Sequence, residues 1–455
     1  MTTSLTTDLD PHSLVRPEDH GFDRVRGTFN VLDDQRPEAI AVPGDAGEVA
    51  DVVRWARRRG LRVTGQATGH NATPLGSLEG TVLVNTSALT EVHIDAAARR
   101  VRAGAGTRWR DVSPRLADLG LAGLHGSSPE VGLAGYSLGG GIGWLSRKHG
   151  MQTNAVTAIE VVTAAGDPVR ADRDHEPDLF WAMRGGGGSF GVVTGLEFGV
   201  QPLTEVYAGA LFYPVERIAE VLHTWTALLP GFPEEMTTWC SVIHFPPFPE
   251  VPEPVRGRSF VIVLVAHLGA EADGRALLAP LRRLRPATDT VAVQPPTALH
   301  RQAMDPEQPL PFRATTALLD ELTPAAIEDV ARIAGPDSPL GLVELRHLGG
   351  ALHRAAPDAG ARATLPGSIG MLSLGVVPEP AAEPTVRDAL DGIAATVADQ
   401  RVGDYPNFVM NPADVSTFFD PQTWERLRRV KAAYDPEDLV RGNHHVPPAG
   451  VSPRP

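Results

Sequence analysis

A single cysteine, Cys240, stands in 455 residues, which excludes an internal disulfide and any cysteine-rich zinc or iron–sulfur centre. Lysine is almost missing too: only Lys148 and Lys431 occur, so arginine carries nearly all the positive charge. The formal charge is -14 and the arginines are scattered among acids, which argues against a nucleic-acid surface. No stretch approaches the roughly 18 consecutive apolar residues of a spanning helix. The opening MTTSLTTDLDPHS is polar and acidic with no apolar core, so neither secretion nor membrane insertion is expected and the expected location is cytoplasmic. What abounds is glycine, at 46 residues, beside a 42% hydrophobic content that suffices for buried cores in two or three domains. The partners implied are small molecules, with no nucleic acid and no membrane, for a monomer or homodimer.

Residues 45–60, DAGEVADVVRWARRRG, carry a capping-box pattern at Asp45 and Glu48, an apolar face of Val49, Val52, Val53 and Ala56, and a stop at Gly60. That helix leads into a strand, LRVTG, which ends in the loop QATGHN. Further strands are expected at TVLVNTS, EVHID and RVRAG, then a helix over Trp109 to Leu119. The segment from Gly123 to Gly150 is too glycine-dense for an ordinary helix or a central strand, since each interior glycine costs up to about 1 kcal/mol. A hairpin (AIEVVTAAGDPVRA), a helix (DLFWAMR) and a second glycine run leading into a strand follow. Past Pro202 alternating strands (VYAGALFY, TWCSVIHF, SFVIVLVAHL, GLVELRHL, IGMLSLGVV) mix with amphipathic helices, the pattern of an antiparallel sheet covered on one face. The proline-rich stretches 246–254 and 295–311 are expected as long loops at a substrate entrance.

Three glycine-rich segments, near 65–70, 126–143 and 185–195, fall in one half of the chain. Backbone without side chains lets a phosphate or pyrophosphate approach several N–H donors at once, so the three are expected to share one large cofactor; the bland alternative is that glycine supplies turns. Within the second run GYSLG matches a nucleophile elbow with Ser137 as nucleophile, the signature of a serine hydrolase. An elbow needs a strand before it and a helix straight after, and Gly139, Gly140, Gly141 and Gly143 are poor helix material. His444 and His445 are adjacent, would face opposite ways on a strand and have no acid at ligand spacing, so no metal is expected.

Together, IAVPGDAGEVADVVRWARRRGLRVTGQATGHN, GGGIGWLSRKHG, DLFWAMRGGGGSFGVVT, ELRHLGGA, YPNF and VKAAYDPEDLVRGNHH resemble the berberine bridge enzyme-like branch of the vanillyl-alcohol oxidase and p-cresol methylhydroxylase (PCMH) flavoprotein superfamily. The resemblance implies an α+β chain with a two-domain PCMH-type FAD-binding fold: residues 1–203 as the FAD domain in two subdomains, 204–403 as a substrate domain of antiparallel sheet covered by helices, and 404–455 returning to the FAD domain. It also implies FAD bonded through its 8α-methyl carbon to His70. Neutral imidazole is a nucleophile, and Gly69 lets the backbone pass close to the ring. Some members add a cysteine tether in a C-P-x-V-G pattern; here the stretch is Ser128, Pro129, Glu130, Val131 and Gly132, and serine forms no thioether, so one tether is expected. Val131 holds the family's oxygen-gate position, where valine goes with oxygen access and an oxidase making hydrogen peroxide.

By the same resemblance Thr64, Gly65, Gln66, Ala67, Thr68, Gly69 and Asn71 wrap the pyrophosphate and dimethylbenzene edge. Ser128 to Gly132, with Gly135, Tyr136, Gly140, Gly141 and Gly143, line ring and phosphates; Val193 meets the adenine side and Asn443 approaches the ring. Tyr405, with Asn407 beside it, carries the Y-x-N position that takes a substrate proton, a role needing a phenol lowered from its usual value near 10 by a nearby positive group or the flavin. Departures lie on the substrate side: Ile142 replaces a tyrosine, VMNPAD lacks an acid, and FFDPQT stands where Tyr-Gly is common. The implied reaction is hydride transfer to flavin N5 followed by reoxidation with molecular oxygen, on an alcohol, hemiacetal or amine-bearing carbon of a secondary metabolite or sugar. A flavin-dependent cyclase or dehydrogenase is the alternative.

Overall fold

The computed structural model describes residues 14–249 and 251–450; the leader reading of residues 1–13 lies outside them. Half of the expected capping box forms: Asp45 accepts from the Glu48 N–H at 2.9 Å, while Glu48 accepts not from Asp45 but from the N–H of Gly44, one residue before the cap, at 2.7 Å. The helix Ala46–Arg58 that they start packs Val49 and Val53 with Val63, Val82 and Val84 of a parallel sheet in the order Ala39–Ala41, Thr81–Asn85, Arg62–Gln66. A second, antiparallel sheet is ordered Val92–Asp95, Arg100–Gly104, Val192–Gly199, Val156–Val162, Pro168–Asp172. Both small sheets end near the glycine segments.

The third sheet has nine strands, all paired antiparallel, between Val206 and Gly403. Its period-two alternation gives each face a separate task. Cys240, Val242, Val343 and Leu345 point into a core closed by the helices Ile218–Leu228, Pro324–Ile333 and Glu383–Thr396. Ile243, Leu342 and Arg346 face the other way and line a cavity. The strand Phe312–Leu319 and the helix Pro324–Ile333 complete this layer beyond what the sequence pattern marked.

One expectation is corrected. Leu133–Gly139, inside the glycine-dense segment, is a helix. Leu133, Ala134, Tyr136 and Leu138 are all buried in one core, and that burial outweighs the glycine penalty. The helix ends where Gly140 and Gly141 adopt φ of 134° and 78°. A Cβ on Gly141 would lie 2.6 Å from the Tyr136 ring, so packing, as well as any ligand, demands glycine there.

The C-terminal stretch returns to the first half of the molecule. After the helix Pro421–Tyr434, the Val63 N–H donates to the Leu439 carbonyl (2.9 Å) and the Arg441 N–H donates to the Val63 carbonyl (2.8 Å), so this strap lies along the strand that leads to His70. No helix among the described residues is long and apolar enough to cross a membrane.

Candidate active site

A cavity of about 1140 Å³ lies between the His70 loop, the glycine segments, the C-terminal strap and the free face of the large sheet. That exceeds the roughly 300–1,000 Å³ of a pocket for one drug-sized ligand, leaving room for a large cofactor and a substrate together.

The strand Arg62–Gln66 delivers the chain to Gly69, whose φ is 65° and whose Cβ would sit 2.9 Å from Thr28 Cα, so only glycine fits. His70 follows, its ring stacked on Phe29 with centroids 4.1 Å apart and planes 15° apart. Nδ1 lies 2.9 Å from Thr68 Oγ1, and Nε2 is buried without a hydrogen-bond partner. Burial, assisted by Arg108, lowers the imidazole to about 4, so the ring is neutral at physiological pH. Thr68 Oγ1 also accepts from the Gly132 N–H at 3.3 Å, locking this loop to the second glycine segment. There Glu130 is clamped by Arg108 and Arg110, each at 2.8 Å.

Of the residues singled out from sequence, Gly65, Gln66, Ala67, Thr68, Gly69, His70, Asn71, Ser128, Val131, Gly132, Gly135, Tyr136, Val193, Tyr405, Asn407 and Asn443 converge on this one cavity. Five do not line it. Thr64 donates its hydroxyl to the Arg441 carbonyl (2.8 Å), Pro129 offers its carbonyl to the Arg110 N–H (3.0 Å), and a Cβ on Gly143 would strike the His125 carbonyl at 1.8 Å. Gly140 and Gly141 shape the turn beneath Tyr405.

The Tyr405 hydroxyl oxygen accepts from the N–H groups of Gly141 (2.8 Å) and Ile142 (2.9 Å). The expectation of a lowered phenol is corrected: burial pushes Tyr405 upward, and that outweighs the two amides, Arg346 and Arg362, all of which favour the anion. Asn407 donates to the Tyr136 carbonyl at 2.9 Å. Asn443 donates to the Asn71 carbonyl (3.2 Å), and Asn71 donates to the Pro406 carbonyl (3.0 Å), joining three distant segments at one wall.

His444 sits in this wall, with Nε2 2.9 Å from the Pro406 carbonyl. His445 does have an acidic partner, contrary to the sequence reading: Asp438 lies 2.9 Å from its Nε2. Among the described residues no cluster could hold a metal. Ser137 lies inside a helix, fully buried, with no partner for its hydroxyl, so the nucleophile elbow is not formed.

Gly185 to Gly188, from the third glycine-rich segment, also line the cavity; sequence reasoning passed over Phe29 and Arg346, which line it too, and Glu344, the buried partner of Arg346. The pair had a signal, an acid and a base two apart in an otherwise apolar strand, hence on one face. At Gly135, Gly187 and Gly188 a Cβ would meet nothing within 4 Å: their missing side chains leave open space along the wall.

An α+β molecule with glycine backbone on one side of a cavity and an antiparallel sheet on the other has room for a large cofactor beside a substrate, and its likeness to known proteins gives its class as the FAD-linked oxidoreductases. A family model described as an FAD binding domain matches residues 37–172. Over 99% of this chain and all of the relative, the sequence is 29% identical to (R)-6-hydroxynicotine oxidase of Paenarthrobacter nicotinovorans. The crystal structure of 6-hydroxy-D-nicotine oxidase from Arthrobacter nicotinovorans superposes with a TM-score of 0.82 and 26% identity, covering 97% of this chain and 99% of that one. Berberine bridge enzyme from Eschscholzia californica shares the fold, with a TM-score of 0.81 at 17% identity over 97% and 98% of the two chains. Along its length the chain is similar to flavoproteins of the PCMH and vanillyl-alcohol oxidase superfamily, and it is an FAD-linked oxidoreductase.

Proposed function

We propose that this oxidoreductase holds FAD through a single covalent bond to His70 and acts as an oxidase on a small alcohol or amine. The observation that carries the reading is the neutral, buried His70 ring whose Nε2 has no partner in a cavity also bordered by glycine backbone. In the tautomer whose Nδ1–H donates to Thr68, Nε2 keeps its lone pair and is the nucleophile. Gly135, Gly187 and Gly188 leave space for a cofactor that backbone N–H groups approach directly. Bound there, FAD supplies hydride acceptance and passes the electrons to oxygen.

The remaining roles fall to the chain itself. Tyr405, protonated and fixed by two amide donors, presents its O–H to the substrate oxygen and aligns it. Asn407 braces the Tyr136 carbonyl and so the helix beneath. Val131, short and branched, leaves a path for oxygen, and Ser128, lacking sulfur, limits the attachment to one bond. A division into residues 1–203, 204–403 and 404–455 is supported by the nine-stranded sheet, whose strands lie between Val206 and Gly403, and a cytoplasmic location by the single buried thiol.

Acid precipitation of purified protein tests the reading. The yellow chromophore is expected to stay in the pellet of wild-type protein and to enter the supernatant from folded His70→Ala; release from wild type would overturn the covalent bond, and colourless protein the flavin itself.

A further inference from the structure

The sheet side of the cavity has a composition that discriminates among substrates, an inference that rests on the oxidase reading above. Strand alternation sets Ile243, Leu342, Leu372 and Leu374 side by side on the cavity face. The mouth is formed by the two proline-rich stretches, with Phe248 at 60% exposure on one and Met304, Pro306 and Pro309 on the other. A sugar bears a hydroxyl on nearly every carbon, and each one buried without a partner is penalised. His244, Gln308 and Ser338 border this side of the cavity, and the apolar face between them gives such hydroxyls little to bond.

One charged donor interrupts the apolar surface. The Arg346 guanidinium carbon lies 3.8 Å from the Trp239 ring centroid and 4.7 Å from that of Phe408. Its Nε donates to Glu344 at 2.6 Å and its Nη2 to Ser127 Oγ at 3.3 Å. Gripped between two rings and tied along one edge, the guanidinium is a fixed plane. Among the described residues Nη1 has no hydrogen-bond partner, and Arg346 borders the cavity. The Phe408 ring that covers it also meets Tyr405 edge-on, 4.9 Å between centroids, so Arg346 stands close to the reacting end. Glu344 balances its charge, and Asp305 at the mouth adds a second carboxylate, which leaves the wall unsuited to an anion.

We propose that the cavity takes a largely apolar, aromatic or polycyclic alcohol, and that Arg346 determines specificity by donating a hydrogen bond to the alcohol oxygen. The holoenzyme is titrated with benzyl alcohol, naphthylmethanol and anthracenylmethanol, followed by the visible flavin spectrum and, independently, by the thermal unfolding midpoint. Each added ring is expected to tighten Kd about tenfold. Xylobiose and naphthoate bind at least about tenfold more weakly than naphthylmethanol.

Arg346→Gln weakens naphthylmethanol about tenfold and leaves methylnaphthalene unchanged, because the hydrocarbon has no oxygen to read. Leu374→Asn, on the apolar face opposite Leu342 and not opposite Glu344, weakens both ligands and covers the case in which the arginine variant does not fold. Equal affinity across the ring series, xylobiose binding as tightly as naphthylmethanol, or Arg346→Gln weakening both naphthalene ligands alike would overturn the proposal. Protein that carries no flavin would overturn the oxidase reading instead, while the thermal titration still reports on the cavity.

Discussion

At the scale of single residues, two groups are tuned in ways that fix what they can do. His70 is neutral because burial lowers it to about 4, the state in which imidazole has a free lone pair. Tyr405 is pushed upward by the same burial, so its proton stays on through neutral and mildly alkaline pH. Tyr405→Phe is therefore expected to lower kcat/KM about 10- to 100-fold, the loss of one hydrogen bond of roughly 1.5–3 kcal/mol, without changing the shape of the pH profile below about pH 10. Disappearance of an alkaline limb in the variant would show that the phenol ionises in turnover. Gly69→Ala forces a φ of 65° on a residue with a Cβ and drives it to within 2.9 Å of Thr28. It is expected to lower stability by at least about 1 kcal/mol in urea unfolding and to reduce flavin retention.

At the scale of elements, the helix Pro421–Tyr434 anchors the strap through Lys431, whose fully buried Nζ reaches Asp435 (2.5 Å), the Ser189 carbonyl (2.7 Å) and the Val440 carbonyl (2.7 Å). Asp435 in turn accepts from the N–H groups of Leu439 and Val440. Lys431→Met leaves that carboxylate buried and unpaired, an expected loss of about 3–5 kcal/mol measurable by chemical denaturation. Most elements were legible in the sequence, because caps, periodicity and turn residues agree: helix Ala46–Arg58 and the hairpin of Val156–Val162 with Pro168–Asp172 form where the pattern puts them. The helix Leu133–Gly139 was not, since long-range packing overrides a propensity that glycine makes poor. At the site, the convergence of the three glycine segments was legible from composition. The closing contacts were not, because Asn71 meets Pro406, Arg346 meets Ser127 and Trp239, and Lys431 meets Ser189 across segments that no local pattern connects.

At the scale of the whole molecule, buried histidines make the fold sensitive to acid. Burial lowers His125 to about 4, His347 to about 3 and His444 to about 4, against an ordinary value near 6.5. Between those limits the unfolded chain takes up protons that the native chain refuses. The stability these groups contribute is thus complete above about pH 6.5 and is lost as pH falls towards about 4, at up to about 1.4 kcal/mol per pH unit for each histidine. The unfolding midpoint of flavin-free His70→Ala protein is expected to be flat from about pH 7 to 8 and to drop steeply below about 6.5; a midpoint that holds to about pH 5 would contradict this. The strap has a temporal consequence as well. Asn443 and Asn71 meet across the cavity although 372 positions separate them. At about 5–20 residues per second a ribosome needs roughly 20–75 s to travel between them, so a nascent chain exposes its histidine loop long before the chamber around it can shut.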